Sequence, residues 1–296
     1  MSGPTETSIK FTPQHLTDPD IHMNDRIDHA VDLVRQADAI VVGAGAGMGI
    51  DSGLPDFRGP NGFWRAYPAL GRRQIRFEAI ASPEAFRRWP RLAWGFYGHR
   101  LKLYRQTRPH EGFRILQNWA AETLFGISVF TSNVDGQFQT AGFPVEAIHE
   151  CHGSIHRLQC LNGCTSKTWS AADFVPEVDE ATGELSNENL PRCPHCGSLA
   201  RPNILMFGDG EWIEGPTLAQ SRLQEKWLRD VRRPLVIEIG AGTAIPSVRY
   251  FSHEVIHRHG GRLVRINPTD FSVPTPRDIG LPLGALEALR LMAAQL

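Results

Sequence analysis

Ala39-Ile-Val-Val-Gly-Ala-Gly-Ala-Gly-Met-Gly-Ile-Asp-Ser-Gly-Leu-Pro-Asp-Phe-Arg-Gly59 is the stretch on which the fold of this chain turns. Its first four residues read as a buried strand, and a glycine run follows at once. Glycine lets a backbone approach a pyrophosphate with no Cβ in the way, and a helix opening after the loop offers unpaired N–H groups to an anion. A tight structural turn looks the same, so the loop alone is weak evidence. Two features separate it from a dehydrogenase fingerprint: the extension from Pro55 to Gly59, and the lack of an acidic residue about 20 positions on after a second strand.

Outward from this loop, Ile127 to Phe130, Leu235 to Ile239 and Arg262 to Ile266 are further short apolar runs. Helical spacing appears in Ile27, Ala30, Val31, Val34 and Ala37, and near 110–122, 216–230, 247–259 and 282–294. Strands alternating with helices predict an α/β fold, a Rossmann-like parallel sheet with helices on both faces. Residues 63–106, rich in Trp, Phe, Tyr and Arg, and residues 155–200, which hold most of the cysteines, break the rhythm. They are expected to form a smaller helical and zinc-binding module. The nucleotide-binding domain would then be assembled from 26–62, 107–154 and 201–296, behind a flexible tail over 1–25.

A chain of 296 residues can bury a core of this size. With 31 basic against 32 acidic residues, no bulk field points to nucleic acid. No apolar run reaches the roughly 20 residues that span a bilayer. The polar start lacks a secretion signal's apolar stretch, so the expected location is the cytoplasm. Four of the five cysteines pair as Cys160-x3-Cys164 and Cys193-x2-Cys196, spacing that fits one tetrahedral four-thiolate zinc ion. Such a closed set leaves no open position, so the metal's role would be structural. His195 lies inside the second pair as a weaker ligand candidate. Cys151, left over beside His152, could be imagined as a thiol–imidazole nucleophile. Neighbours on a strand point to opposite faces, and a core-facing thiol is the preferred reading.

The motifs and their order resemble the sirtuins, the NAD-dependent protein deacylases. The glycine loop with Ser52-Gly-x-Pro-Asp-Phe-Arg-Gly59 is followed by Thr131-Ser-Asn-Val-Asp135 and His152-Gly153. The cysteines come next, then Arg201-Pro with Phe207-Gly208, and finally Gly242-Thr243 and Ile266-Asn267. The likeness runs from about residue 27 to 290 and marks a divergent, bacterial-type member. It implies NAD as co-substrate, held by Gly45, Ala46, Gly47, Asp56, Phe57, Arg58, Ser132, Asn133, Asp135, Gly240, Gly242, Thr243 and Asn267. It further implies that the acyl oxygen of a modified lysine attacks the ribose as nicotinamide leaves. His152 then activates a ribose hydroxyl, giving free lysine and O-acyl-ADP-ribose, with Asn133 and Asp135 positioning the sugar. A lone histidine is usually structural, and Asp135 could equally cap the helix after it; both roles of Asp135 can hold at once.

Phe207 and Gly208 would meet the acyl-lysine protein substrate. An aromatic and arginine stripe at one helical turn is most often packing with a solvated charge. Tyr97-x-x-Arg100 nonetheless resembles the acyl pocket of sirtuins that remove succinyl, malonyl or glutaryl groups, where a guanidinium grips a carboxylate. Departures are Gly49 in place of a serine, Ser132 in place of a glutamine, and three residues inside the first cysteine pair. Gln137, one helical turn beyond Asn133, could replace the lost glutamine. The alternative activity on the same site is ADP-ribosyl transfer or NAD hydrolysis, and a third reading is a non-catalytic NAD-sensing module.

Overall fold

The structure, a computed structural model, describes residues 22–55 and 59–296, with the side chains of 59–62 excepted. Residues 1–21 of the expected tail, and Asp56, Phe57 and Arg58, lie outside the described residues. Helix α1 (Met23–Gln36) leads into β1 (Ala39–Ala44), all six of whose residues are buried. Five helices follow: α2 (Gly59–Ala66), α3 (Pro68–Arg72), α4 (Phe77–Ile80), α5 (Pro83–Arg88) and α6 (Pro90–Gln106). Then come α7 (Glu111–Ala121), β2 (Ile127–Thr131), α8 (Gln137–Thr140), β3 (Ile148–Glu150), β4 (Gly153–Cys160), β5 (Trp169–Ser170) and β6 (Ala200–Ile204). The chain ends with α9 (Gly215–Leu228), β7 (Pro234–Ile239), α10 (Ser247–Arg258), β8 (Arg262–Ile266), β9 (Ile279–Leu281) and α11 (Ala285–Ala293).

Six of these strands form one sheet in the order β3-β2-β1-β7-β8-β9, every pair parallel. Val42 sits opposite Val129 on one side and Ile237 on the other. Continuous apolar runs suit a sheet covered on both faces. Ile40, Val42 and Ala44 share a core with α1, α7 and α11 residues such as Ile27, Leu116 and Leu289. Val41, pointing the other way, packs with Leu228 of α9 and Val255 of α10. From β1 the chain builds outward to β2 and β3, then returns to build β7, β8 and β9 on the other side. Loops leaving β1 and β7 therefore diverge, and a crevice opens at the carboxyl ends of these strands.

The glycine loop differs from expectation. A 3₁₀ helix over Ala46–Ser52 follows it instead of an α-helix, stopped by Gly53 in the left-handed region (φ 87°). Glycines at 47 and 49 give little helical drive to this segment. The loop packs on the loop leaving β7: Gly45 N donates to Ile239 O at 2.9 Å and Gly47 N to Gly240 O at 3.1 Å. A Cβ on Gly240 would lie 2.3 Å from Gly47 Cα, and Gly240 also holds φ +61°. Both glycines are thus required by loop–loop contact.

The second sheet is antiparallel, in the order β5-β4-β6. It shares an aromatic core with α2–α6, including Phe63, Phe86, Trp94, Phe96 and Tyr97 against Ile155 and Ile204. Trp94 Nε1 donates to Ala200 O at 2.9 Å. Arg91 donates to the carbonyls of Leu185 and Asn187, Arg105 to those of Ala171 and Phe174, and Arg72 to that of Ala181. Much of the arginine in this module therefore clamps the long loop beside the cysteines. Among the described residues no helix is long and apolar enough to cross a membrane.

Replacing Gly240 with alanine forces a Cβ into Gly47 in an unfavourable backbone region. Denaturant titration of Gly240→Ala is expected to show a loss of about 2 kcal/mol or more, against near-neutral behaviour for Gly242→Ala, where nothing lies within 4 Å of the added carbon.

Candidate active site

The crevice end of β2 carries the first group of site residues. Thr131 Oγ1 donates to Ala44 O at 3.1 Å and accepts from Asn133 N at 3.0 Å. Asn133 Nδ2 donates to Gly45 O at 2.9 Å, tying this loop to the glycine loop. Asn267, after β8, does the same on the far side: Nδ2 donates to Ala241 O at 3.0 Å, while Oδ1 accepts from Thr269 and Asp270 main-chain N–H groups. Both asparagine side chains brace the rim of the crevice. Ala46 and the Gly242–Thr243 main chain are exposed beside them. The 3₁₀ helix opens at Gly45 without a side-chain cap, with Gly47 N taken by Gly240 O and Met48 N by Gly45 O. A dinucleotide fits this combination of uncapped turn, close-packed glycines and exposed loop backbone.

Asp135 is buried at 7% exposure, and its Oδ1 accepts from Gln137 N at 2.9 Å. The cap expected of it is therefore present, just before α8. Burial raises its carboxyl to about 6, opposed by the Gln137 N–H and by the Arg100 charge. Gln137 does not serve as a sugar-binding replacement for the missing glutamine. Gly136 adopts φ +73° between Asn133 and Gln137, breaking the helical spacing, and Gln137 Nε2 donates to the Tyr104 and Thr107 carbonyls.

His152 lies in the turn joining β3 to β4, not on a strand, so its relation to Cys151 is not one of opposite strand faces. Cys151 N donates to Thr131 O in the large sheet, and Leu205 N donates to His152 O beside the small one, each at 2.9 Å. Gly153 holds φ +76°, and a Cβ there would lie 2.2 Å from Asn203 O, so the residue after His152 has to be glycine. The imidazole Nε2 is 3.2 Å from Ser247 Oγ on α10. Burial lowers the ring's pKa below 6.5, with a hydrogen bond to the Ser132 backbone pulling the other way. The result is a neutral imidazole at pH 7, suited to accept a proton. Cys151 packs beside Phe130, Ala241 and Val248, and burial drives its thiol up to about 12, which leaves it a core residue rather than a nucleophile.

Tyr97 is 1% exposed and stacks on Phe86 at 5.5 Å. The Arg100 guanidinium lies over the Phe96, Tyr97 and Tyr104 rings at 5.3, 5.8 and 5.5 Å. Its Nε and Nη2 donate to Tyr104 Oη at 2.9 and 2.7 Å. Tyr97 thus offers Arg100 its ring, and the phenol oxygen comes from Tyr104, which the sequence reading passed over. Arg201 makes a fully buried ion pair with Asp209 at 2.7 Å and donates to Ile204 O, shaping the loop that presents Phe207 and Gly208. Phe207 is 39% exposed, with its N–H on Ala81 O and its ring edge-on to Phe77 at 5.7 Å. Asp209, Tyr104 and Ser247 are the site residues that sequence reasoning missed.

The sulfurs of Cys160, Cys164, Cys193 and Cys196 lie within 4.8 Å of one another, and the cluster does not take in His195. None of the cysteines is in a disulfide. Cys193 accepts from Gly197 N and donates to Ser198 O through its main chain, closing a knuckle around the second pair. Four converging thiols fit a tetrahedral zinc ion with no site left for water.

A model of the Sir2 family matches residues 45–225. The chain is 30% identical over 244 residues to the NAD-dependent protein deacylase of Thermococcus kodakarensis, covering 81% of this chain and 84% of that protein. It is 33% identical over 252 residues to the NAD-dependent protein deacetylase of Caldivirga maquilingensis, covering 84% and 85%. The fold also matches the crystal structure of a Sir2 homologue–NAD complex, with a TM-score of 0.68 and 24% identity over 90% of this chain and 93% of that one.

If the thiol cluster holds zinc for stability alone, a strong chelator should release about one zinc per chain and lower Tm by roughly 10 °C, the shift for ~3–4 kcal/mol in a chain of this size. Re-addition of zinc restores the transition, and magnesium does not.

Proposed function

The chain belongs to the Sir2 family, and from that membership we propose that it is an NAD-dependent protein-lysine deacylase with His152 as its base. The carrying observation is the neutral imidazole fixed between the two sheets, beside the crevice at the ends of β1 and β7. Bound NAD supplies an activated glycosidic bond, whose cleavage releases nicotinamide and leaves the ADP-ribose to take the acyl group. His152 takes the proton of a ribose hydroxyl, for which a lowered pKa keeps the ring unprotonated at neutral pH. Asn133 and Asn267 hold the rim loops at the spacing a dinucleotide needs. Asp135 sits near Arg100 and links the sugar end to the acyl end of the crevice. Phe207 and Gly208 form the lip on which the acyl-lysine segment lies. Zinc on the four thiolates keeps the small sheet in place and takes no part in the chemistry. Cysteines committed to a metal site and not to disulfides suit a reducing cytoplasm.

Arg100, half-buried among tyrosines, is the group that gives the acyl pocket an acidic preference. Burial opposes its charge, and the surrounding phenols hold the guanidinium protonated. A distal carboxylate meets there a charged, preoriented donor.

With NAD and a panel of acyl-lysine peptides, nicotinamide and deacylated peptide should appear in equal amounts, and His152→Ala should lose on the order of 100-fold or more in deacylation. The acid limb of the kcat/KM profile should fall below pH 6.5, because protonation of a depressed imidazole in the free enzyme is what ends activity. Nicotinamide without deacylated peptide, or an unaffected His152→Ala enzyme, overturns the reading. Separately, Arg100→Met should lower succinyl-peptide turnover about tenfold relative to acetyl-peptide turnover; an unchanged ratio removes the acidic-acyl assignment.

A further inference from the structure

Ser247 is the first residue of α10, and its hydroxyl oxygen stands 3.2 Å from Nε2 of His152 across 95 residues of sequence. A hydrogen bond from the ring to the Ser132 backbone raises its proton affinity, as a carbonyl acceptor does. Nε2 faces Ser247, and the form of the ring that can accept a proton there carries its own proton on Nδ1. Nε2 of the neutral ring then carries the lone pair, and the Ser247 O–H donates to it. A hydroxyl can also turn and accept from Nε2–H once the ring is protonated. Ser247 can therefore hold the imidazole in one orientation in both charge states. A carbonyl or a carboxylate at the same place would draw the ring's proton to Nε2 and leave no lone pair there.

The support behind Ser247 is rigid. Val248, the next residue, is buried against Phe130 and Ala241, and Ser252 Oγ donates back to Val248 O at 2.9 Å, fixing the first turn of α10. Arg249 reaches from the same turn to the carbonyls of Ala241 and Asp270. Ser247 itself is half-exposed, so its hydroxyl can yield Nε2 to an incoming ribose hydroxyl without moving the helix. Serine at this position has no caps to make, since the helix opens after Pro246 with no side-chain cap.

We propose that Ser247 is a positioning residue for His152: it keeps the Nε2 edge of the ring aimed into the crevice and is displaced from it by the ribose hydroxyl during the reaction. This rests on the deacylase reading, because it assigns His152 as the base. The role is one of orientation, so it acts on the proton-transfer step and not on the binding of NAD or peptide.

The test compares Ser247→Ala and Ser247→Thr with the parent enzyme on NAD and an acyl-lysine peptide. In Ser247→Ala, kcat for deacylated peptide should fall about three- to tenfold, the value of one neutral hydrogen bond, with KM for both substrates unchanged. Exchange of labelled nicotinamide into NAD, which precedes the proton step, should stay at the parent rate. Ser247→Thr, which keeps the hydroxyl, should return kcat to within about twofold. The inference is overturned if Ser247→Ala retains the parent kcat, if alanine and threonine variants fall equally, or if the loss lies in KM. His152→Ala run in parallel separates the two levels: an active His152→Ala enzyme sinks the deacylase reading, whereas an inactive one beside an unaffected Ser247→Ala sinks only the role of Ser247.

Discussion

Two backbone loops meeting without side chains between them hold the site together. The turn after β1 and the turn after β7 approach so closely that a Cβ on either Gly47 or Gly240 would collide with the other's Cα. Close contact brings the carboxyl ends of the two central strands to one crevice, and everything that acts on a nucleotide is mounted on its edges. Bulky side chains at either position would prise the loops apart and separate the nucleotide's two halves of the rim. Glycine at these positions thus serves packing as much as ligand approach.

Around this contact the rim is braced by side chains that spend their hydrogen bonds on backbone. Thr131 reaches the last carbonyl of β1, and Asn133 and Asn267 each reach a carbonyl on a neighbouring loop. The proposed base is held differently: Nε2 of His152 faces a single hydroxyl, that of Ser247, and burial lowers the ring's pKa. Fixed scaffolding with one exchangeable hydrogen bond is what a base needs, since it has to give up its resting partner to reach the substrate. The arginines on α3 and α6 extend the same economy to the second lobe, where a cysteine-bearing loop with little regular structure is held by guanidinium-to-carbonyl contacts.

Much of this was readable in the residues, for physical reasons that differ from place to place. Strands β1, β2, β7 and β8 are buried on both faces, so they appear as largely apolar runs, broken in β7 and β8 by Glu238 and Arg265, which pair with each other at 2.6 Å. Edge strands β3 and β9, three residues each, are too short to leave a pattern, and β6 contains Pro202 and polar residues. Cysteine spacing is legible because four thiols at those intervals answer to one geometry. Ser247 was invisible, since its meeting with His152 depends on where α10 docks. Tyr104 was within reach: side chains on a helix lean toward its N-terminus, which brings residue 104 back over Arg100. Gln137 misled, because helical spacing was assumed across Gly136, where the backbone reverses hand.

The turn at Cys151–Gly153 is stitched to the parallel sheet by one amide and to the antiparallel sheet by the next carbonyl. A side chain mounted on this turn therefore answers to two hydrogen-bonded frames at once, and the imidazole of His152 is located by both sheets instead of by either alone. Loops anchored to one sheet carry no such double constraint, so their length and sequence can drift with little effect on where that ring stands.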